Sequence, residues 1–426
     1  MKMIYDVVIT GGGMAGVAAA VAASRLGART LLVEQGSVLG GLGTAGGLSN
    51  LITWAPGFYG IGLELVNRLV KTGGMEFNAM NRDNFYDLEY MKLALDELVC
   101  GSGAELLLFA KATDITQFDG KVSALELCGQ EGKFAVYGRY FIDCTGDAML
   151  AFMAGEPYEL GDGNGNTQAP TLVCQYIGVD WDAYRAFLEP YGGDNVPMIR
   201  EILPRAVAAG DVRITDFHHP GVFRVNDRVA LVNIGHAYGA DCLSPKGLTE
   251  ATLEGRRQAH EYLKFYRKYI PGFADAYMTF TAATIGVRET RRLIGQYTVT
   301  FEDKSSYRKF DDAVMRFEGG RESDLHSYSP SMEAYMDYYT LFTDERPRDD
   351  DWADLPYRCL LPQKAKNLLV AGRCLSADRK VQGRVRTMGY CLMMGQAAGT
   401  AAALCAREGM DCDRIDITSL QSELFL

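Results

Sequence analysis

None of the ten cysteines forms a Cys-x-x-Cys pair, so zinc, iron–sulfur and dithiol redox motifs have nothing to build on. The cysteines at 100, 128, 144, 174, 242, 359, 374, 391, 405 and 412 read instead as small buried hydrophobes of a reducing compartment. No run approaches the ~18 to 20 uninterrupted apolar residues of a membrane span. No long basic stretch interrupts the 43 Lys and Arg, against 54 Asp and Glu, and a net charge of −11 argues against a nucleic-acid partner. The first apolar strand begins within five residues of Met1, which leaves no room for a targeting peptide, so a cytoplasmic location is expected. Only five histidines occur, which keeps the pool of acid–base groups near neutral pH small. No internal repeat is visible.

What is present starts at Tyr5. The apolar run Val7 to Ile9 reads as a buried parallel strand. It feeds Gly11-x-Gly13-x-x-Gly16 and an Ala-rich helix to Leu26. In such a turn the first glycine permits the tight bend, the second lets a pyrophosphate approach the backbone, and the third lets helix pack on strand. The helix N-terminus then offers free N–H groups and the positive end of its dipole to phosphate. A second strand, Thr30 to Glu34, ends in an acid placed for a ribose 2′-hydroxyl. That acid repels a 2′-phosphate, so FAD or NAD is favoured over NADP.

A chain of 426 residues implies two or three domains. A glycine cluster at 40–47 suits a loop whose backbone approaches something flat or charged. Helices are expected over 59–73 and 87–99, and a strand over 105–109 extends the parallel sheet. Strands at 112–118, 122–127 and 134–137 read as an antiparallel meander, and 139–147 as a separate buried strand ending in Thr-Gly-Asp. Residues 161–167 form a loop. Beyond it, strands at 171–178, 222–225 and 228–235 alternate with helices at 181–189, 195–209 and 248–270, an α+β pattern. The acidic, Tyr-rich stretch 304–354 shows little periodicity and reads as a solvated excursion or a lid. Strand 367–372 and helix 389–407 close the chain. Small residues at 395, 398, 399 and 402 allow that helix to pack very closely, in all expectation on the first helix and strand.

Together, Gly11 to Gly16 with Glu34, Gly40-Gly41, Thr145-Gly146-Asp147 and Asn367 to Arg373 with the small-residue helix resemble an FAD-dependent oxidoreductase of the two-dinucleotide-binding-like flavoprotein fold. Ile285-Gly-Val-Arg-Glu-Thr-Arg-Arg292 and Pro356-Tyr-Arg-Cys-Leu-Leu-Pro362 are similar to the broad bacterial family of that name, with fumarate reductase and succinate dehydrogenase flavoproteins as distant relatives. The resemblance implies an α/β fold: a Rossmann-like FAD-binding domain from 1–155 and 355–426, split by an α+β substrate domain at 156–354 whose lid is 304–354. It assigns Gly11, Gly13 and Gly16, with Met14 and Ala15, to the pyrophosphate, and Glu34, beside Gln35, to the adenosine ribose. Gly40, Gly41 and Thr44 fall along pyrophosphate, ribitol and flavin, and Ala112 against adenine. Thr145, Gly146 and Asp147 fall beside the nucleotide half, and Gly372 and Arg373 at ribitol or pyrophosphate. Met388 and Gly389, at a helix N-terminus, point at the flavin pyrimidine ring, where they stabilise charge developing on reduction. Leu42-Gly-Thr44 follows the glycine doublet where relatives place a histidine, so FAD is expected to be non-covalent. No second Gly-x-Gly-x-x-Gly opens a βαβ unit, which argues against an NAD(P)H domain.

In such enzymes the cofactor moves hydride, and the protein supplies an acid or base and orienting charge. His218, His219 and His236 lie at strand ends and form the acid–base pool, whereas His260 reads as a surface residue. No ligand spacing supports a metal. Arg288, in a cluster with Arg291 and Arg292, suits carboxylate or phosphate capture, with an ion-pair network as the alternative. Arg358 is placed to face flavin or substrate from the returning strand, and Tyr357 is an alternative proton donor. Tyr328, Tyr335, Tyr338 and Tyr339 line a pocket or pack a lid. The expected partners are a small-molecule substrate and an electron donor or acceptor that the sequence does not name; a homo-oligomer is compatible with it. Two other readings remain: an FAD-binding subunit of a larger redox or RNA-modification assembly, and an NAD-binding protein without flavin.

Overall fold

The computed structural model describes residues 3–52, 58–78, 83–213, 216, 221–331, 333 and 351–424. Its main sheet runs Glu105–Leu107, Thr30–Val33, Met3–Thr10, Gly132–Asp143, Lys121–Gly129, Lys111–Phe118. The first strand pairs in parallel with Thr30–Val33 on one side and with Gly132–Asp143 on the other. Its alternation works on both faces. Val7 and Ile9 join the core with the helices, and Val8 between them joins a second core with the meander.

Residues 134–137 and 139–147 are not two strands but one, Gly132–Asp143. Its first half pairs antiparallel with Lys121–Gly129, and its last three residues pair in parallel with Leu368–Val370, while the first strand runs along its other edge. Gly138 reads as a break in the sequence. In the fold it is a packing position, where a Cβ would lie 2.8 Å from Val8 and 2.9 Å from Phe141.

The helix layer is built on close approach. The first helix, Met14–Arg25, is buried from Met14 through Ala23, so it has no polar face. Its neighbour is the closing helix, Met388–Glu408, buried from Met388 to Ala406. A Cβ on Gly395 would sit 2.0 Å from the Ala15 carbonyl oxygen, and one on Gly399 2.2 Å from that of Ala19. The small face therefore brings two backbones into contact, as the spacing suggests. Helices Gly60–Thr72 and Leu88–Ser102 complete the layer, the latter capped by the Asp87 carboxylate on Glu89 and Tyr90 N–H.

The middle of the chain builds a four-stranded antiparallel sheet in the order Gly221–Arg224, Val229–Asn233, Cys174–Ile177, Tyr277–Thr281. Helices Trp181–Leu188, Asn195–Ala208 and Pro245–Tyr269 contribute to its own aromatic core, which includes Tyr176, Tyr262, Phe265, Tyr266 and Phe273.

Much of 304–354 departs from a solvated excursion. Strands Ala313–Glu318 and Trp352–Pro356 pair antiparallel, and Val314, Met315, Phe317, Ala353 and Leu355 enter the core of the helix layer. The alternation there is masked in sequence by charges at Arg316, Asp351 and Asp354. Tyr335, Tyr338 and Tyr339 lie outside the described residues. No described helix is long and apolar enough to cross a membrane.

The two-backbone contact makes a test. Gly395→Val should destabilise the protein by about 3 kcal/mol through overpacking. Gly101→Ala, in an exposed helical turn where a Cβ meets nothing within 4 Å, should be neutral or stabilising by up to ~1 kcal/mol. Thermal melting of both variants decides; equal melting temperatures would contradict the packing.

Candidate active site

The glycine turn has different requirements at each glycine. Gly11 has φ +93°, and a Cβ there would lie 2.4 Å from the Cys144 carbonyl oxygen. A Cβ on Gly16 would lie 1.8 Å from the Gly11 oxygen. Both positions exclude side chains by contacts within the protein. Gly13 does not: a Cβ there meets nothing within 4 Å, so open space lies in front of it. Gly13 is also the N-cap of the first helix, which has no side-chain cap and no acid in its first turn. Its free N–H groups are thus available to an anion.

The second glycine cluster is tied to this turn. Gly40 N–H donates to the Gly12 carbonyl at 2.7 Å, and Gly40 and Gly41 both take positive φ, +96° and +54°. Glu34 stands beside them. Its Oε2 accepts from Gly12 N–H and its Oε1 from Gly36 N–H, each at 2.6 Å, with exposed Gln35 between. Thr44 is buried and donates to the Leu39 carbonyl. Tyr86, which sequence reasoning passed over, is buried with its hydroxyl 2.8 Å from both the Gly43 and Leu48 carbonyls, pinning the far side of the loop. Ala112 is buried in the meander strand Lys111–Phe118.

Thr145-Gly146-Asp147 follows the long central strand. Buried Asp143 fixes it, accepting from Thr145 Oγ1 at 2.7 Å and from Leu150 N–H at 2.7 Å. Gly146 takes φ +75° beneath the Arg373 guanidinium, and Asp147 Oδ1 pairs with Arg373 Nη2 at 2.6 Å and Thr290 Oγ1 at 2.7 Å. Gly372, φ +93°, lies against Ala15 of the first helix. At the closing helix, N-cap Thr387 makes no side-chain cap, its Oγ1 is buried with no hydrogen-bond partner, and the first turn holds no acid. Met388, just inside, faces the loop, its Sδ 2.6 Å from where a Gly43 Cβ would be.

Two uncapped helix N-termini, an open cradle at Gly13 and an orphaned buried hydroxyl fit an elongated anionic ligand such as FAD. Gly11, Gly13, Gly16, Glu34, Gly40, Gly41 and Gly372 surround one of these helix ends, and Met388 and Gly389 form the other.

A polar chain, buried at Asp216 and His236 and partly exposed at His326 and Asp324, lies on the side of the middle sheet. His236, 4% exposed, follows strand Val229–Asn233. Its Nδ1 lies 2.6 Å from Asp216 Oδ2, and its Nε2 lies 2.8 Å from His326 Nδ1. His326 Nε2 continues to Asp324 Oδ1 at 3.0 Å, and Asp324 Oδ2 to Arg386 Nη2 at 3.0 Å. Arg386 immediately precedes Thr387, so the chain ends at the N-terminus of the closing helix. Tyr238 donates to Asp216 Oδ1 at 2.7 Å and stacks on His236 with ring centres 5.5 Å apart. Burial and the Arg288 charge push the His326 imidazole well below its usual value. Burial would raise the Asp324 carboxyl, but charge and hydrogen bonding from His326 and Arg386 hold it well below the usual range. Since His326 is itself driven toward neutrality, Arg386 is the partner that sustains the Asp324 anion.

Arg288 is buried and donates to the Ala169 carbonyl and Thr171 Oγ1. Its neighbours behave differently: Arg292 pairs with Glu289 and Glu159, and Arg291 lies over the Phe152 ring. Arg292 is thus ion-paired on both sides, and the Arg288 charge bears on His326. Arg358, half exposed, pairs with Asp312 at 2.9 Å over the Tyr297 ring. Tyr357 is buried and donates to the Cys412 carbonyl at 3.0 Å, and burial pushes its hydroxyl up. His260 is exposed, and His218 and His219 lie outside the described residues. A cavity of about 410 Å³ opens between Leu160–Thr167 and Gly239–Leu243, with Thr290 and Tyr328 on its wall. Through Thr290 it reaches Asp147 and Arg373. Among the described residues no cluster could hold a metal ion.

Among solved structures, this chain is similar to a geranylgeranyl bacteriochlorophyll reductase-like protein of Thermoplasma acidophilum (TM-score 0.51, 13% identity, 99% of this chain and 83% of that one). It is also similar to p-nitrophenol 4-monooxygenase of Pseudomonas putida DLL-E4 (0.52, 11%, 100% and 84%) and to a myxobacterial chondrochloren halogenase (0.51, 10%, 99% and 78%). At such identities the likeness is one of fold. The family described as FAD dependent oxidoreductase matches residues 6–424, nearly the whole length, so this chain belongs to that family and its cofactor is FAD.

Proposed function

We propose that this protein transfers hydride between non-covalently held FAD and a small organic substrate, an alcohol of sugar-like character or a hydroxy or unsaturated acid. The observation that carries the reading is the hydrogen-bonded His236–His326 pair between two carboxylates, ending beside the uncapped helix at Thr387. Hydride transfer from an alcohol leaves a proton to be taken up, and from reduced flavin to an unsaturated acid requires one. An imidazole pair held between carboxylates meets either need.

When bound, FAD supplies the hydride acceptor or donor at N5, which no side chain provides. In this reading Gly13 and the first helix take the pyrophosphate, and Glu34 turns its free lone pairs to the adenosine ribose. Gly40, Gly41, Gly372 and Arg373 border the linking phosphates and ribitol. Met388 and Gly389 offer a positive helix end to the flavin's reducible side. Arg288 orients a carboxylate or polarised oxygen of the substrate. Arg358, committed to Asp312, takes no part.

Gly11 and Gly13 separate cofactor binding from folding. Gly11→Ala should cost more than ~1 kcal/mol of stability through its positive φ. Gly13→Ala should change the melting point of the FAD-free protein little, yet weaken FAD at least about tenfold, equivalent to 1.4 kcal/mol. Unchanged FAD affinity in Gly13→Ala would remove the open cradle from the site.

With a substrate found by screening hydroxy acids and sugars against a redox dye, His236→Ala and Arg288→Ala should each lower kcat roughly a hundredfold or more while retaining FAD. Unchanged turnover in both would remove them from the site. Anaerobic bleaching of bound flavin by such substrates supports the reading; rapid bleaching by NADPH alone would instead make this a nicotinamide-dependent reductase.

A further inference from the structure

The hydrogen-bonded chain poses a question of proton number. Between Asp216, His236, His326 and Asp324 there are three gaps, of 2.6, 2.8 and 3.0 Å. Each gap joins two atoms that both carry lone pairs, so each needs a proton to be a hydrogen bond rather than a repulsion. Two neutral imidazoles bring two protons. With both carboxylates ionised, one gap is left with lone pair against lone pair. Three protons close all three gaps and give the four groups a net charge of −1.

The geometry points to a proton-sharing pair: His236 and His326 together take up one extra proton between Asp216 and Asp324, and act as the store for the proton exchanged with substrate. The inference rests on the hydride-transfer reading only for the source of that proton. As a hydroxyl substrate loses hydride from carbon to FAD, its O–H electron pair becomes the second C–O bond, and the proton fills the third gap. In the opposite direction the same proton is returned.

The surroundings set how tightly it is held. Asp216 and Asp324 hold it from the two ends. Against it stand burial and the positive charge of Arg288, which push the His326 imidazole down, and Arg386, which competes for Asp324. Tyr238, donating to Asp216, is itself raised by burial and so stays neutral, and Tyr262 behind it is raised likewise. Gln258 on the His236 carbonyl and Gln168 at His326 N–H add neutral bonds, and Glu254 is one step removed through Gln258. The ring nitrogens are already directed at chain members, so the proton enters through an end, by Asp216 with Tyr238 or by Asp324. His236 and His326 are therefore positioning residues for the proton, not groups that touch the substrate.

The test is nitrogen-15 NMR of the histidine rings in the full-length, FAD-bound protein, with His236→Gln and His326→Gln for assignment. Between about pH 5 and 9 the two rings should change protonation in one joint step, with strongly downfield, exchange-protected N–H protons on its low-pH side. Arg288→Gln should move that step up by about one pH unit or more, because a nearby cation favours the neutral ring. In His326→Gln the His236 signal should lose the joint step. Fixed neutral tautomers for both rings throughout the range would overturn the proposal. So would two independent titrations, each unmoved by loss of the other ring. The wild-type spectra decide even if a variant fails to fold. A joint step without turnover of any alcohol or acid would keep the proton pair and sink the hydride-transfer reading instead.

Discussion

The contact on which the structure depends is that of two helix backbones at Gly395 and Gly399 against Ala15 and Ala19. It joins residues almost four hundred positions apart, at a separation that leaves no room for a side chain. Because the contact is this close, the closing helix lies directly beside the helix that starts at the glycine turn. Strand Leu368–Val370 then completes the central sheet beside the last residues of Gly132–Asp143. The N-terminus of the first helix and that of the closing helix are thereby built into one layer, and the glycine loop at 40–47 touches both, through Gly12 and through Met388. A site assembled from both ends of a chain needs such a fixed joint, since either end alone offers half of a cradle.

The second constraint is electrostatic. Burying Asp216 and partly burying Asp324 and Arg386 beside two imidazoles costs free energy wherever an ion is left unpaired. The chain from Asp216 to Arg386 offsets that cost only if its hydrogen bonds are complete. On neighbouring elements Arg384 pairs with Glu318, and Glu289 is held by Arg292 and Arg379. Close by, Gln382 donates to the Arg288 carbonyl at 2.9 Å.

How much of this could be read from sequence depends on how local the signal is. The glycine turn, Glu34, the glycine doublet and the small face of the closing helix are local patterns, and each takes its expected place in the fold. Thr145 to Asp147 and Arg373 lie far apart in sequence, yet their motifs were recognisable, and the fold joins them in one ion pair. His236 stood out as a strand-end histidine. Its partners did not, because Asp216, His326 and Asp324 come from loops 20 to 90 residues away with no spacing to announce them. Gly138 looked like a break because sequence does not distinguish a glycine that turns from one that admits Phe141. The pair of strands at 313–318 and 352–356 escaped for a related reason: charges at their edges hid a buried alternation.

The central claim is that one FAD site is made by both ends of this chain. The most direct measurement is the visible absorbance spectrum of the purified protein after mixing with FAD and gel filtration. Oxidised-flavin bands co-eluting with the protein, at about one FAD per chain and released by denaturation, are the result this account predicts. Complete separation of FAD from a folded protein would contradict it.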